Sequence, residues 1–124
     1  SNLDIRNVVE VLVFAGIGTT EPGASLVSTG MVEKAEMDEV RRLGGVGELL
    51  GHFFDADGRA VDTALSERAL SLGREDISGR RIVAVAGGTV KVRAIRSILA
   101  GGVLNGLITD ERTARSLLEE MPVG

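Results

Sequence analysis

Residues 81–110 read RIVAVAGGTVKVRAIRSILAGGVLNGLITD, and this stretch decides the fold. Ile82 to Ala86 carries no polar side chain, the pattern of a buried strand, and Gly87-Gly88 breaks it. From about Thr89 to Ala100 the apolar positions follow a helical period, with Ala94, Ile95, Ile98 and Leu99 on one face and Arg93, Arg96 and Ser97 opposite. Gly101-Gly102 ends that helix, and Leu104 to Ile108 reads as a second strand. Thr109 or Asp110 then caps a last helix reaching about Glu120, with Thr113, Ala114, Leu117, Leu118 and Met121 on one face. Strand, helix, strand, helix is the signature of a βαβ unit, whose crossover is expected to be right-handed. The predicted class is α/β, a mainly parallel sheet with flanking helices.

Working upstream, Val11 to Ala15 is a short apolar run that reads as a buried strand, leaving the sheet by a tight Gly16-Ile17-Gly18 loop. Thr19 to Thr29 is rich in Gly, Ser, Thr and Pro and reads as loop. Glu33 to Leu43 is a helix with Met37, Val40 and Leu43 at spacing three and Gly44 as its C-cap. Gly51 to Phe54 is strand-like, and Asp57-Gly58 marks a turn. Ala69 to Leu72 reads as a further short strand, and Ile77 to Gly79 as a turn.

With 124 residues, the chain fits one domain. Aromatics make up only 2% against 44% hydrophobic residues, so the core is built from Val, Leu, Ile and Ala. That composition suits a parallel sheet under helices better than an aromatic-rich sandwich. The net charge is −4 and the basic residues are scattered, which argues against nucleic-acid binding by this chain. There is no cysteine, hence no disulfide framework and no thiolate metal site. No apolar run approaches the length of a membrane span. A cytoplasmic location without membrane contact is expected.

Lys91 is the most informative single residue. It falls near the middle of the apolar face of its helix, where an ammonium group is costly unless an anion meets it. It also lies in the first turn, beside Gly87 and Gly88, where free N–H groups and the positive helix end favour a phosphate or carboxylate. The alternative is that Lys91 snorkels round the helix start or pairs with an acidic side chain. Gly16 and Gly18 after a strand hint at a dinucleotide loop, but Glu21 stands where a third glycine belongs and no helix opens directly. The loop could still line a pocket at the strand ends. Glu48, in an otherwise apolar glycine-rich stretch, and Asp55, after two phenylalanines, are carboxylates suited to sugar hydroxyls; their plainer readings are a solvated residue and an Asx-turn. Asp55-Ala56-Asp57-Gly58 is not a calcium loop, because its glycine comes too early and Ser66 replaces the bidentate Glu. His52, the single histidine, cannot build a zinc site of the usual kind. No metal or cofactor is expected.

At these residues the chain resembles the sugar-binding domain of the SorC/DeoR family of bacterial transcription regulators. The matching stretches are Val13–Gly18, Gly44–Gly58, Val85–Ile95 and Leu107–Ala114, in that order over nearly the whole chain. The resemblance implies an isomerase/CoA-transferase-like α/β fold, a phosphorylated-sugar effector, and an oligomer whose grip on DNA the effector alters. It places Lys91 in the effector pocket beside Gly87 and Gly88, with Glu48 and Asp55 near sugar hydroxyls. Family members carry an N-terminal helix-turn-helix and a first sheet segment whose Gly- and Thr-rich loop helps hold phosphate. Residues 1–124 are therefore expected to be the C-terminal portion of an effector domain, without the DNA-binding part. Such a portion leaves apolar surface uncovered, so self-association into a dimer or larger assembly is expected. The competing classes are a sugar-phosphate isomerase or lactonase on the same fold, and a nucleotide-binding or purely structural module.

Overall fold

The computed structural model describes residues 12–63 and 79–119. In chain order these form β1 (Leu12–Ala15), β2 (Ile17–Thr19), a short helix α1 (Ser25–Ser28), α2 (Lys34–Arg42), and the strands β3 (Gly45–Leu49), β4 (His52–Asp55) and β5 (Ala60–Val61). Then come β6 (Arg81–Val85), a 3-10 turn (Thr89–Lys91), α3 (Val92–Ala100), β7 (Gly106–Ile108) and α4 (Glu111–Glu119). The strand expected at Ala69 to Leu72, most of the turn at Ile77 to Gly79, and Met121 lie outside the described residues.

The βαβ unit is present. β6 and β7 are parallel neighbours, and β1 adds to the other side of β6 in parallel, giving the order β1-β6-β7. Asn105 locks the entry to β7: its side-chain Oδ1 accepts from Ile82 N at 2.9 Å while its own N–H donates to Ile82 O at 2.8 Å. A second, antiparallel sheet accompanies this one, with order β2-β3-β4-β5. The parallel sheet is thus only part of the architecture. Gly16-Ile17-Gly18 is not simply a loop, because β2 begins at Ile17 and pairs with β3. β3 itself has a register shift between Gly45 and Gly47, which breaks the alternation that marks a strand in sequence.

Helix α3 lies between the two sheets. Ile82 and Ala84 from the parallel sheet, Ile17, Leu49 and Phe54 from the antiparallel one, and Ala94, Ile95 and Ile98 of α3 form one core. The far face of the antiparallel sheet has its own core, where Phe53 and Val61 meet Met37 and Val40 of α2. Being covered on two sides, α3 buries more than one stripe. Ser97, placed opposite the apolar face by periodicity, is 0% exposed and donates to Asp55 O at 2.6 Å. That bond joins α3 to the end of β4.

The other face of the parallel sheet is bare. Leu12, Phe14, Val85 and Ile108 project from it, Phe14 with 60% exposure, and no element among the described residues covers them. β1 is therefore half-buried rather than buried, although parallel sheets ordinarily have both faces covered.

Candidate functional site

The best-defined polar cluster gathers at one end of the β3–β4 hairpin. Leu49 pairs with His52, so Leu50-Gly51 forms a two-residue turn, with φ of 51° at Leu50 and 83° at Gly51. Such turns need positive φ at both positions, and a leucine there carries a strain of about 1–2 kcal/mol. Glu48 reaches over this turn, and its Oε1 accepts from Gly51 N at 2.8 Å. Its other oxygen lies flat against Gly18, the residue opposite it on β2. A Cβ at Gly18 would come within 2.6 Å of Glu48 Oε2. Gly18 is thus a glycine because the Glu48 carboxylate occupies the space of its side chain.

Cross-strand pairing with Phe53 puts Glu48 on the face turned towards α2. Burial raises its pKa, against the opposing pull of the Gly51 N–H and of the charges on Lys91 and His52. Lys91, half-buried, ends the 3-10 turn that packs over β2, and its N–H donates to Gly88 O at 3.0 Å. Gly18 and Glu48 are in contact, and the charges of Lys91 and His52 act on the Glu48 carboxylate.

Gly87 and Gly88 adjoin this cluster through the chain and form a second network with the start of α4. Gly88 N donates to Thr113 Oγ1 at 2.9 Å, and Thr113 Oγ1 donates to Asp110 Oδ2 at 2.9 Å. Asp110 Oδ1 accepts from Thr113 N at 2.8 Å, which makes Asp110 the helix cap. A Cβ on Gly87 would stand 2.4 Å from Asp110 Oδ2. Hydrogen bonds from Thr113 hold the Asp110 carboxyl below its usual range. Thr113, 0% exposed, was legible only as one apolar-face position of α4; its spacing of three from a capping Asp is the signal that marks its polar role.

Asp55 lies at the other end of β4. Its Oδ1 accepts from Asp57 N and Arg59 N, both at 2.9 Å, closing the turn into β5. Gly16 sits exposed between β1 and β2, with open space where a side chain would go. A separate cleft of about 450 Å³ runs along α3, lined by Ala56, Thr89, Val92, Arg93 and Arg96. Arg93, one of its lining residues, pairs with Glu21 at 3.5 Å, both side chains being more than half exposed.

Thr113→Val leaves the Gly88 N–H and Asp110 Oδ2 without their partner and is expected to destabilise the fold by about 1–3 kcal/mol, read from urea denaturation. The two shifted carboxyls act on stability with opposite signs. Glu48, raised in the folded state, contributes most below its unfolded pKa, and that contribution is lost as pH rises through its folded value. Asp110, lowered, contributes above its unfolded pKa and loses that contribution as pH falls through its folded value. Glu48→Gln should therefore remove a fall in stability as pH rises above the ordinary glutamate range, whereas Asp110→Asn should remove a loss at acid pH; denaturation midpoints measured across pH test both.

The chain belongs to the Sugar-bind family of sugar-binding domains, whose profile matches residues 3–119. Its relatives are regulators of the SorC/DeoR type. It is 52% identical over 107 residues to the erythritol catabolism regulatory protein EryD of Brucella abortus, covering 86% of this chain and 34% of that protein. It is 36% identical over 107 residues to the transcriptional regulator LsrR of Klebsiella pneumoniae, covering 83% of this chain and 33% of the relative. Among solved structures, the full-length sorbitol operon regulator SorC from Klebsiella pneumoniae superposes with a TM-score of 0.76 at 29% identity, over 86% of this chain and 35% of that one. The chain thus spans about a third of the length of the regulators it matches.

Proposed function

We propose that the chain is part of the effector-sensing domain of a bacterial transcription regulator and binds a phosphorylated sugar. The carrying observation is Lys91, half-buried on the turn after Gly87-Gly88 and near enough to Glu48 for its charge to act on that carboxylate. In this reading the sugar's phosphate sits at Lys91 and the N–H groups of the 3-10 turn, where an ammonium and the helix start act together. Glu48 and Gly18 meet the sugar end, and the exposed Gly16 borders the approach. Asp55 contributes mainly through its turn, with Oδ2 left for a hydroxyl. DNA contact belongs to a helix-turn-helix elsewhere in the whole cytoplasmic protein. That protein is an oligomer, and the bare apolar face of the β1-β6-β7 sheet supports further association.

A raised carboxyl near a lysine is also what a sugar-phosphate isomerase would use. The names of the relatives favour a regulator, and turnover of a sugar phosphate would decide for the enzyme.

Thermal unfolding with a panel of sugar phosphates and their unphosphorylated sugars tests the proposal. A ligand at 100 times its Kd should stabilise the chain by about 2.7 kcal/mol. One phosphorylated sugar should act while its parent sugar does not. Equal shifts from both, or silence across the panel, would overturn the phosphate reading.

A further inference from the structure

The Glu48 carboxylate is committed in two directions. One oxygen holds Gly51 N–H in a turn whose preceding residue, Leu50, has a left-handed backbone. The other is pressed against Gly18, which leaves no room for it to swing that way. The hairpin end is therefore a strained element held by the packing of Leu50 against the core and by one half-buried acceptor, and that acceptor lies in the field of the residue assigned to ligand binding. Strain of this kind persists only where its surroundings hold it, and it concentrates in switch elements.

We propose that an anion bound at Lys91 drives a proton from solvent onto Glu48 and thereby loosens the Leu50-Gly51 turn. The inference rests on the reading of Lys91 as an anion site. An anion at Lys91 cancels a positive charge that favours ionised Glu48, so burial, already the largest influence on it, is less opposed. A protonated carboxyl is a weaker acceptor than a carboxylate, so the bond to Gly51 N–H weakens and the strain at Leu50 is less well opposed. The anion's charge is in this way converted into a change of hairpin geometry.

The charged surroundings of Glu48 are few. Among the described residues, the charges that act on it are those of Lys91, from the 3-10 turn, and of His52, which pairs with Leu49 and so lies on the opposite face of the hairpin. β2 and the rest of β3 carry no titratable side chain. From the α2 side, Met37 and Val40 are the buried residues, while Arg41 is engaged with Thr20 O and Asp38, and Arg42 with Glu39. The coupling is read at Glu48 itself.

The experiment uses inorganic sulfate, which stays dianionic across the range and so adds no titration of its own. The side-chain carboxyl carbon of Glu48 is followed by NMR from pH 4 to 8 with and without sulfate, and hydrogen exchange at Gly51 is measured alongside. Sulfate is expected to raise the Glu48 midpoint by at least about 0.5 pH unit and to speed Gly51 exchange several-fold near that midpoint. Glu48→Gln, which keeps the acceptor oxygen but cannot titrate, should lose the sulfate effect on Gly51 while still showing sulfate-induced shifts at Lys91. If sulfate shifts Lys91 but leaves the Glu48 midpoint in place, the coupling is wrong and the anion site stands. If sulfate leaves Lys91 untouched at every concentration while the chain remains folded, both fall.

Discussion

Gly58→Ala is expected to lower the stability of the chain by about 3 kcal/mol and its Tm by roughly 10 °C. Gly58 has a φ of 83°, and a Cβ there would meet Gly101 N at 2.3 Å and Ala100 C at 2.4 Å. Both are backbone atoms at the end of α3, which cannot rotate away as a flexible side chain could. A left-handed alanine costs about 1–2 kcal/mol and overpacking about 1–3 kcal/mol. The turn is fixed to the same helix by Ser97 Oγ on Asp55 O, so relief by moving the turn would break a buried hydrogen bond. Gly23→Ala is the matched control: φ is 86°, but nothing lies within 4 Å of the added carbon. It should show the backbone cost alone. Urea midpoints for the two variants, at unchanged slope, separate conformation from collision. Equal losses would mean that the turn does not dock on α3 as described.

The same docking explains what the sequence concealed. Periodicity over residues 81–119 was enough to read β6, α3, β7 and α4, because each has one dominant apolar pattern and glycines or a capping Asp at its ends. It misplaced Ser97, because a single-stripe reading presumes one covering layer and α3 has two. It missed β2 and β3, where glycines and a register shift remove the alternation of apolar side chains. Leu118 was grouped with the buried face of α4 yet is 70% exposed, and Phe14 projects from an uncovered sheet face. Exposure of that sort depends on what packs alongside, which a local pattern does not encode. In the candidate site, Lys91 stood out in sequence as an ammonium on an apolar helix face, but the structure ends a 3-10 turn at Lys91 and starts α3 at Val92, so the helical wheel that singled it out does not apply at that position. The approach of Gly18 to Glu48 was not legible, since it is a cross-strand pairing 30 positions apart with no mark in either segment.

Lys91→Ala is expected to weaken binding of a phosphorylated sugar by about 10–100-fold, the equivalent of one charge-assisted hydrogen bond of about 1.5–3 kcal/mol. Affinity for the unphosphorylated sugar should barely change, because Lys91 is assigned to the phosphate. The fold should tolerate the change. Lys91 is half-buried at a 3-10 turn, and the hydrogen bond that shapes that turn runs from its backbone N–H to Gly88 O, which alanine preserves. Removing its charge also removes one of the influences that lower the Glu48 pKa, so the Glu48 titration should move up in the ligand-free variant. This second readout protects the test from a trivial outcome. Calorimetric titration gives the affinity and carboxyl NMR gives the Glu48 midpoint on the same protein. Lost phosphate selectivity together with a raised Glu48 midpoint would place both groups in one electrostatic site. Retained selectivity with a raised midpoint would move the phosphate elsewhere, with the arginines of the α3 cleft as the next candidates. An unmoved midpoint would show that Lys91 and Glu48 are not coupled.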